Sequence, residues 1–161
     1  MKEIVDRRRW FDAHWKDIET EMSPWKIITR VFSLDVRTRY TCPCCGYPTL
    51  ERRIMWEICH ICWWEDDGQD DSDKDNIGGT NDISLTEART NFAKNMISFR
   101  PKDEKLNRIG AATQKNRTAL VNAFEEIRKI INKLREIKQS IKKPEVTKLH
   151  KEITRLLKNA T

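Results

Sequence analysis

Five cysteines crowd one short stretch, as Cys42-Pro43-Cys44-Cys45-Gly46 and then Cys59-His60-Ile61-Cys62. Paired as Cys42/Cys45 and Cys59/Cys62, they read C-x2-C-x13-C-x2-C. Two intervening residues let both thiolates of a pair reach one ion from a single tight turn. Gly46 after the first pair frees the backbone for close amide-to-sulfur approach. Two such knuckles complete a tetrahedral four-thiolate site with zinc–sulfur bonds of about 2.3 Å. Four thiolates close the shell, so the expected Zn²⁺ is structural and leaves no position open for catalysis. One cysteine is left over. Cys44 is the expected spare, because a Cys42-x-Cys44 bite is tighter and leaves Cys45 idle beside Gly46. Cys44 stays open as an alternative ligand. His60 adjoins Cys59 and is expected at the surface or behind the ligands. A redox reading of Cys59-x-x-Cys62 wants a βαβ context with a helix starting at the motif. The Trp63-Trp64 pair and the acidic run that follow supply neither.

The elements that must position these thiols follow from patterning. Ile4, Phe11, Trp15, Ile18 and Met22 share one face of a helix. Ser23-Pro24 reads as an N-cap with Pro at the first helical position, opening a short helix through Trp25, Ile28 and Phe32 that a strand could replace. Val36–Tyr40 alternates as a strand, and Arg53–Ile58 suits a second one between the knuckles. Ser84-Leu85-Thr86-Glu87 is a capping box. It opens a helix presenting Leu85, Ala88, Phe92 and Met96. Further on, Leu120, Phe124, Ile127, Ile131, Leu134 and Ile141 keep a three-four spacing. Pro144 breaks it, and Val146, Leu149, Ile153 and Leu156 resume it. An antiparallel helical hairpin is expected there, with an intermolecular coiled coil as the other use of such a seam. The expected fold is α+β, mostly α: a small zinc-ribbon-like module flanked by an N-terminal helix and a C-terminal hairpin. Its expected divisions are 1–35, 36–99 and 100–161.

The blocks CPCCGYPTLE, CHICWWEDDG and GGTNDISLTEARTNF, in that order, resemble the cysteine-rich CPCC domain of many bacterial proteins. The resemblance spans about residues 40–99. It implies a small zinc-ribbon-like module and supplies no enzymatic activity. Such modules are similar in size to small accessory and immunity proteins of bacteria.

Composition bounds the rest. The chain has 161 residues, 38% of them hydrophobic and 35% charged, against roughly 45–50% and 25% in an average domain. A large enzyme core is not expected. No run of 18 apolar residues is present, so no membrane helix is expected. MKEIVDRRRWFDAHW has no apolar signal core, and a cytoplasmic location is expected. The net charge of +6 is unevenly spread, because residues 57–99 carry 3 basic and 10 acidic side chains and residues 100–161 carry 17 and 7. The acidic stretch after the second knuckle has two uses: attracting a basic partner, or folding back on the chain's own basic helices. Asp71, Asp73 and Asp75 match the start of a calcium loop, but Asn76 and Asp82 stand where Gly and Glu are needed. Trp63 and Trp64 cannot both point inward from an extended backbone. They mark the expected partner surface, together with Glu65, Asp66, Asp67, Asp70 and Asp71. The expected role is non-enzymatic protein recognition, a basic toxin being the most concrete partner. The alternative is nucleic-acid binding by the Lys- and Arg-rich helices. Glu residues alternate with those cations, and aromatic stacking platforms are almost absent.

Overall fold

Ile4, Arg7 and Phe11 recur at intervals of three and four, and all three are buried. That stripe gives the first half of the helix over residues 2–21 one inward face; the side chains of Trp15, Ile18 and Met22, expected on the same face, lie outside the described residues. The computed structural model describes residues 1–21, 39–100, 102–104 and 111–140. In chain order its elements are α1 (Lys2–Glu21), β1 (Tyr40–Thr41), β2 (Pro48–Leu50), α2 (Leu85–Asn95) and α3 (Ala111–Ser140). The fold is thus α+β and mostly α, with the cysteines beside a two-stranded antiparallel sheet. Its register pairs Tyr40 with Leu50 and Thr41 with Pro48. The helix expected from Ser23 through Phe32, residues 36–38 of the strand expected over 36–40, and the second arm of the hairpin, with Pro144, Val146, Leu149, Ile153 and Leu156, lie outside the described residues; of that strand Arg39 is irregular and Tyr40 opens β1. Among the described residues no helix is long and apolar enough to cross a membrane.

The chain divides into two compact units, Met1–Val121 and Asn122–Thr161. In the first, α1 packs against β1 and the knuckle that follows it, and Thr41 donates to Asp12 at 2.7 Å. Tyr47, Leu50, Ile61, Trp64, Leu85 and Phe92 fill the core around the cysteines. Along α3, Phe124 and Ile131 are buried and Leu120 and Ile127 half-buried, so the expected stripe is inward as far as Ile131; the side chains of Leu134 and Ile141 lie outside the described residues.

Half of the capping box forms. Ser84 Oγ accepts from the Glu87 amide at 3.1 Å, but the Glu87 carboxylate binds Arg100 at 2.5 and 2.9 Å instead of reaching back. A two-pronged guanidinium contact is stronger than one amide bond. Met96, in the left-handed region at φ 60°, ends α2 with its N–H bonded to Phe92 O.

The strand expected over Arg53–Ile58 is not formed. Only Ile58 bridges to the next segment, opposite Glu65. The reason is Asp66, which is fully buried. Its Oδ2 takes the Ile54 N–H at 2.7 Å and Arg53 Nε at 2.9 Å, and its carbonyl takes the Trp56 N–H. The backbone wraps around that carboxylate, and Ile54 and Trp56 are drawn to φ 63° and 53°.

Candidate metal centre

Each knuckle is a turn closed by the same two backbone bonds. Gly46 N donates to Cys42 O and Cys42 N to Tyr47 O, both at 2.9 Å. Trp63 N donates to Cys59 O and Cys59 N to Trp64 O, again at 2.9 Å. The fifth residue of each turn is left-handed, Gly46 at φ 77° and Trp63 at φ 67°. The second knuckle therefore places a tryptophan where the first has glycine.

These turns aim four thiols at one point. Cys42, Cys45, Cys59 and Cys62 are fully buried, and their sulfurs all lie within 4.8 Å of one another. Cys42 Sγ to Cys62 Sγ and Cys45 Sγ to Cys59 Sγ are each 3.6 Å. A tetrahedron with 2.3 Å metal–sulfur bonds has edges of about 3.8 Å. The donor set thus fits a tetrahedral, thiophilic dication such as Zn²⁺. Cys44 is fully buried as well but is not part of the four-sulfur group. His60 is exposed.

Burial and mutual hydrogen bonding shift the thiols in opposite directions. Burial opposes ionisation of Cys59, yet hydrogen bonds from Cys42, Cys45, Cys62 and the Thr49 hydroxyl together hold it well below the ordinary thiol value. Thr49 Oγ1 lies 3.0 Å from that sulfur. Burial first, and then the neighbouring thiols, push Cys42 and Cys62 well above it.

Three buried arginines grip the knuckle backbone. Arg7 of α1 donates to Cys45 O at 2.8 Å, and its guanidinium lies 4.5 Å from the centre of the Tyr47 ring. Arg89 of α2 donates to Pro43 O at 2.9 Å. Arg117 of α3 donates to Ile61 O and Met96 O. A dication with four thiolates carries net −2, and these cations stand around it. Sequence reasoning did not single them out. The signal was present, for each occupies a stripe position in its helix: Arg7 between Ile4 and Phe11, Arg89 between Leu85 and Phe92, and Arg117 in register with Leu120 and Phe124.

The residues expected to meet a partner are spread through the structure. Trp64 and Asp66 are fully buried and present nothing to the surface, which corrects that expectation for both. Trp64 is turned in because its backbone closes the second knuckle, and Asp66 because it anchors the 53–56 bend. Trp63, Glu65, Asp67 and Asp70 are half-buried, and Asp71 is exposed. The acidic loop folds back on the chain, but these contacts are with arginines of α1, the 53–56 bend and α2 rather than with the basic helices after residue 100. Arg8 grips Asp70 at 2.5 and 2.8 Å, Arg53 reaches it at 3.1 Å, and Arg89 meets Asp71 at 2.7 Å. Asp67 binds the Thr80 amide, and the Asn81 side chain exchanges two hydrogen bonds with the Glu65 backbone. Asp73 and Asp75 cap the Asp70 amide and the Thr86 hydroxyl. Their carboxylates thus serve the loop itself, and no carboxylate group fit for a cation is found among the described residues.

Burial pushes the Asp70 carboxyl up, but the bonds from Arg8, the Asp71 amide and Arg53 outweigh it and hold Asp70 well below the usual range. A carboxyl depressed in the folded state stabilises above its unfolded value, about pH 4, and loses that contribution as pH falls toward its folded value. Asp70→Asn is therefore expected to lower the urea midpoint by a constant amount from pH 7 to 5. The gap to the unsubstituted protein should narrow below about pH 4. A gap that already closes between pH 7 and 5 would assign the effect to another group.

The family model for the cysteine-rich CPCC domain matches residues 40–126. The chain belongs to that family. Comparisons with curated proteins and with solved structures each gave no match.

Proposed function

We propose that the four thiolates hold one structural Zn²⁺ and that the chain is a non-enzymatic cytoplasmic protein that recognises another protein. The observation that carries this reading is the complete set of four buried thiols at tetrahedral spacing. Four protein ligands leave a zinc ion no place for substrate or water. The metal's work is then to hold a surface. Arg8, Arg53 and Arg89 fix the acidic loop from below, and Asp71 and Asp75 remain exposed along it. Fixed carboxylates of this kind suit a basic protein, a toxin that acts on nucleic acid being the concrete case.

Elemental analysis of freshly purified protein is expected to give one zinc per chain. Metal-free protein with a disulfide among these cysteines would overturn the reading. A titration with generic DNA and RNA tests the role. Micromolar binding that weakens steeply with salt would transfer the function to the basic helices.

A further inference from the structure

The acidic loop exposes one large apolar side chain, Ile77, but the exposed apolar side chains that cluster lie outside it. Trp56 is 60% exposed, Ile54 58%, Met55 54%, Tyr40 51% and Ile58 48%. Four of them fall within five residues, in the bend between the knuckles. Tyr40 sits opposite Leu50 at the base of that bend.

The bend is held in this form at a backbone cost. Ile54 and Trp56 both have left-handed φ, which a β-branched residue rarely adopts. Buried Asp66 fixes the Ile54 and Trp56 amides. The Glu57 carboxylate takes the amides of Glu51 and Arg52 at 2.8 and 3.2 Å. Gly68 lies under Ile54, where a Cβ would come within 3.2 Å of Ile54 Cγ2. The tip is thus pre-organised, so little ordering entropy is lost when it docks.

We propose that this tip is the two-fold interface of a homodimer. Its charge is self-complementary: exposed Glu51 and exposed Arg52 flank the apolar residues side by side. The Arg52 side chain has no ion pair among the described residues, and Glu51 has only a 3.9 Å contact with Arg39. An isologous contact presents the same patch twice, so one acid and one base per copy form two pairs across the axis. The area is adequate for a modest dimer. The five residues expose on the order of 500 Å² per copy, so two copies bury at most about 1,000 Å² through them, and Glu51 and Arg52 at the rim must add the rest of what a specific interface needs. Nothing in this inference depends on which metal the thiolates hold.

Sedimentation velocity of the metal-loaded 161-residue chain from about 1 to 500 µM tests it. A monomer–dimer equilibrium with a dissociation constant in the tens of micromolar is expected. Trp56→Ser should weaken it by about 30-fold, the size of a tryptophan hot spot. Its near-ultraviolet dichroism and metal content should report an intact fold. Glu51→Arg should weaken association, and Glu51→Arg combined with Arg52→Glu should restore it. A monomer at every concentration overturns the proposal, and is the outcome expected if the tip serves a different protein. A dimer indifferent to both Trp56→Ser and the charge swap overturns it equally.

Discussion

Cys45→Ser is expected to lose the metal and the tertiary structure around it, while Cys44→Ser keeps both. Cys45 is one of four sulfurs within 4.8 Å of one another, and Cys44 is outside that group. Structural zinc in small modules contributes about 10–16 kcal/mol of apparent binding energy, and such modules unfold without it. A whole domain is worth only about 5–15 kcal/mol. The metal's contribution is thus comparable with the whole stability of the first unit, and a site that loses one ligand no longer holds it. Cys44→Ser buries a hydroxyl in place of a thiol, at about 1–3 kcal/mol, and leaves the ion in place. The measurements are zinc content and near-ultraviolet dichroism, which reports the fully buried Trp64. Chelation of the unsubstituted protein should reproduce the Cys45→Ser spectrum. Helical ellipticity from the second unit, Asn122–Thr161, should survive it. Reversed behaviour of the two serine variants would put Cys44 in the ligand set. Complete loss of helix in step with zinc would mean that both units depend on the metal.

Gly46→Ala is expected to destabilise the protein by about 2–4 kcal/mol through two separable effects. One is conformational. Gly46 has φ 77°, and an L-residue there costs about 1–2 kcal/mol. The other is steric. A Cβ at this position would stand 2.8 Å from Ile4 O and 3.1 Å from Arg8 N, both backbone atoms of α1. The helix must lift, and with it the packing of Ile4 and Phe11 and the Arg7 bond to Cys45 O. Trp63 separates the two effects, because it holds nearly the same φ in the other knuckle with a full side chain. The dihedral is therefore tolerable, and the overlying helix makes glycine necessary at the first knuckle. Gly46→Asn relieves the dihedral and keeps the clash. Denaturant midpoints should show Asn nearly as damaging as Ala. A full rescue by Asn would assign the cost to the dihedral instead.

The cysteine pairs were legible because metal ligation fixes residue type and spacing together, and both survive in one dimension. Helices with regular stripes were legible for a similar reason. The 53–58 bend was not. Its alternating β-branched and aromatic residues have the composition of a strand, and it is Asp66, ten to thirteen positions downstream, that diverts the Ile54 amide to its carboxylate and the Trp56 amide to its carbonyl. The acidic loop was legible as charge but not as direction. Which carboxylates turn inward depends on Arg8, Arg53 and Arg89, and Arg8 and Asp70 are 62 residues apart. The arginines on the knuckle carbonyls were hidden by a sound habit of thought, which reads an arginine on an apolar stripe as an interruption. Here the stripe faces a site that carries net negative charge with a dication bound, and an arginine belongs to it.

The distances along the chain between those arginines and their carbonyls bear on the order of assembly. Arg7, Arg89 and Arg117 reach the knuckles across 38, 46 and 56 residues. The last ligand, Cys62, emerges well before Arg117. At about 5–20 residues per second of synthesis, the interval is roughly 3–10 s. During that time the nascent chain offers a complete thiolate set with only α1 in place. Metal would then enter most easily early, before the α2 and α3 arginines engage the knuckle carbonyls. The finished protein is expected to exchange its metal slowly, at a rate set by the departure of those helices rather than by the sulfur–metal bonds.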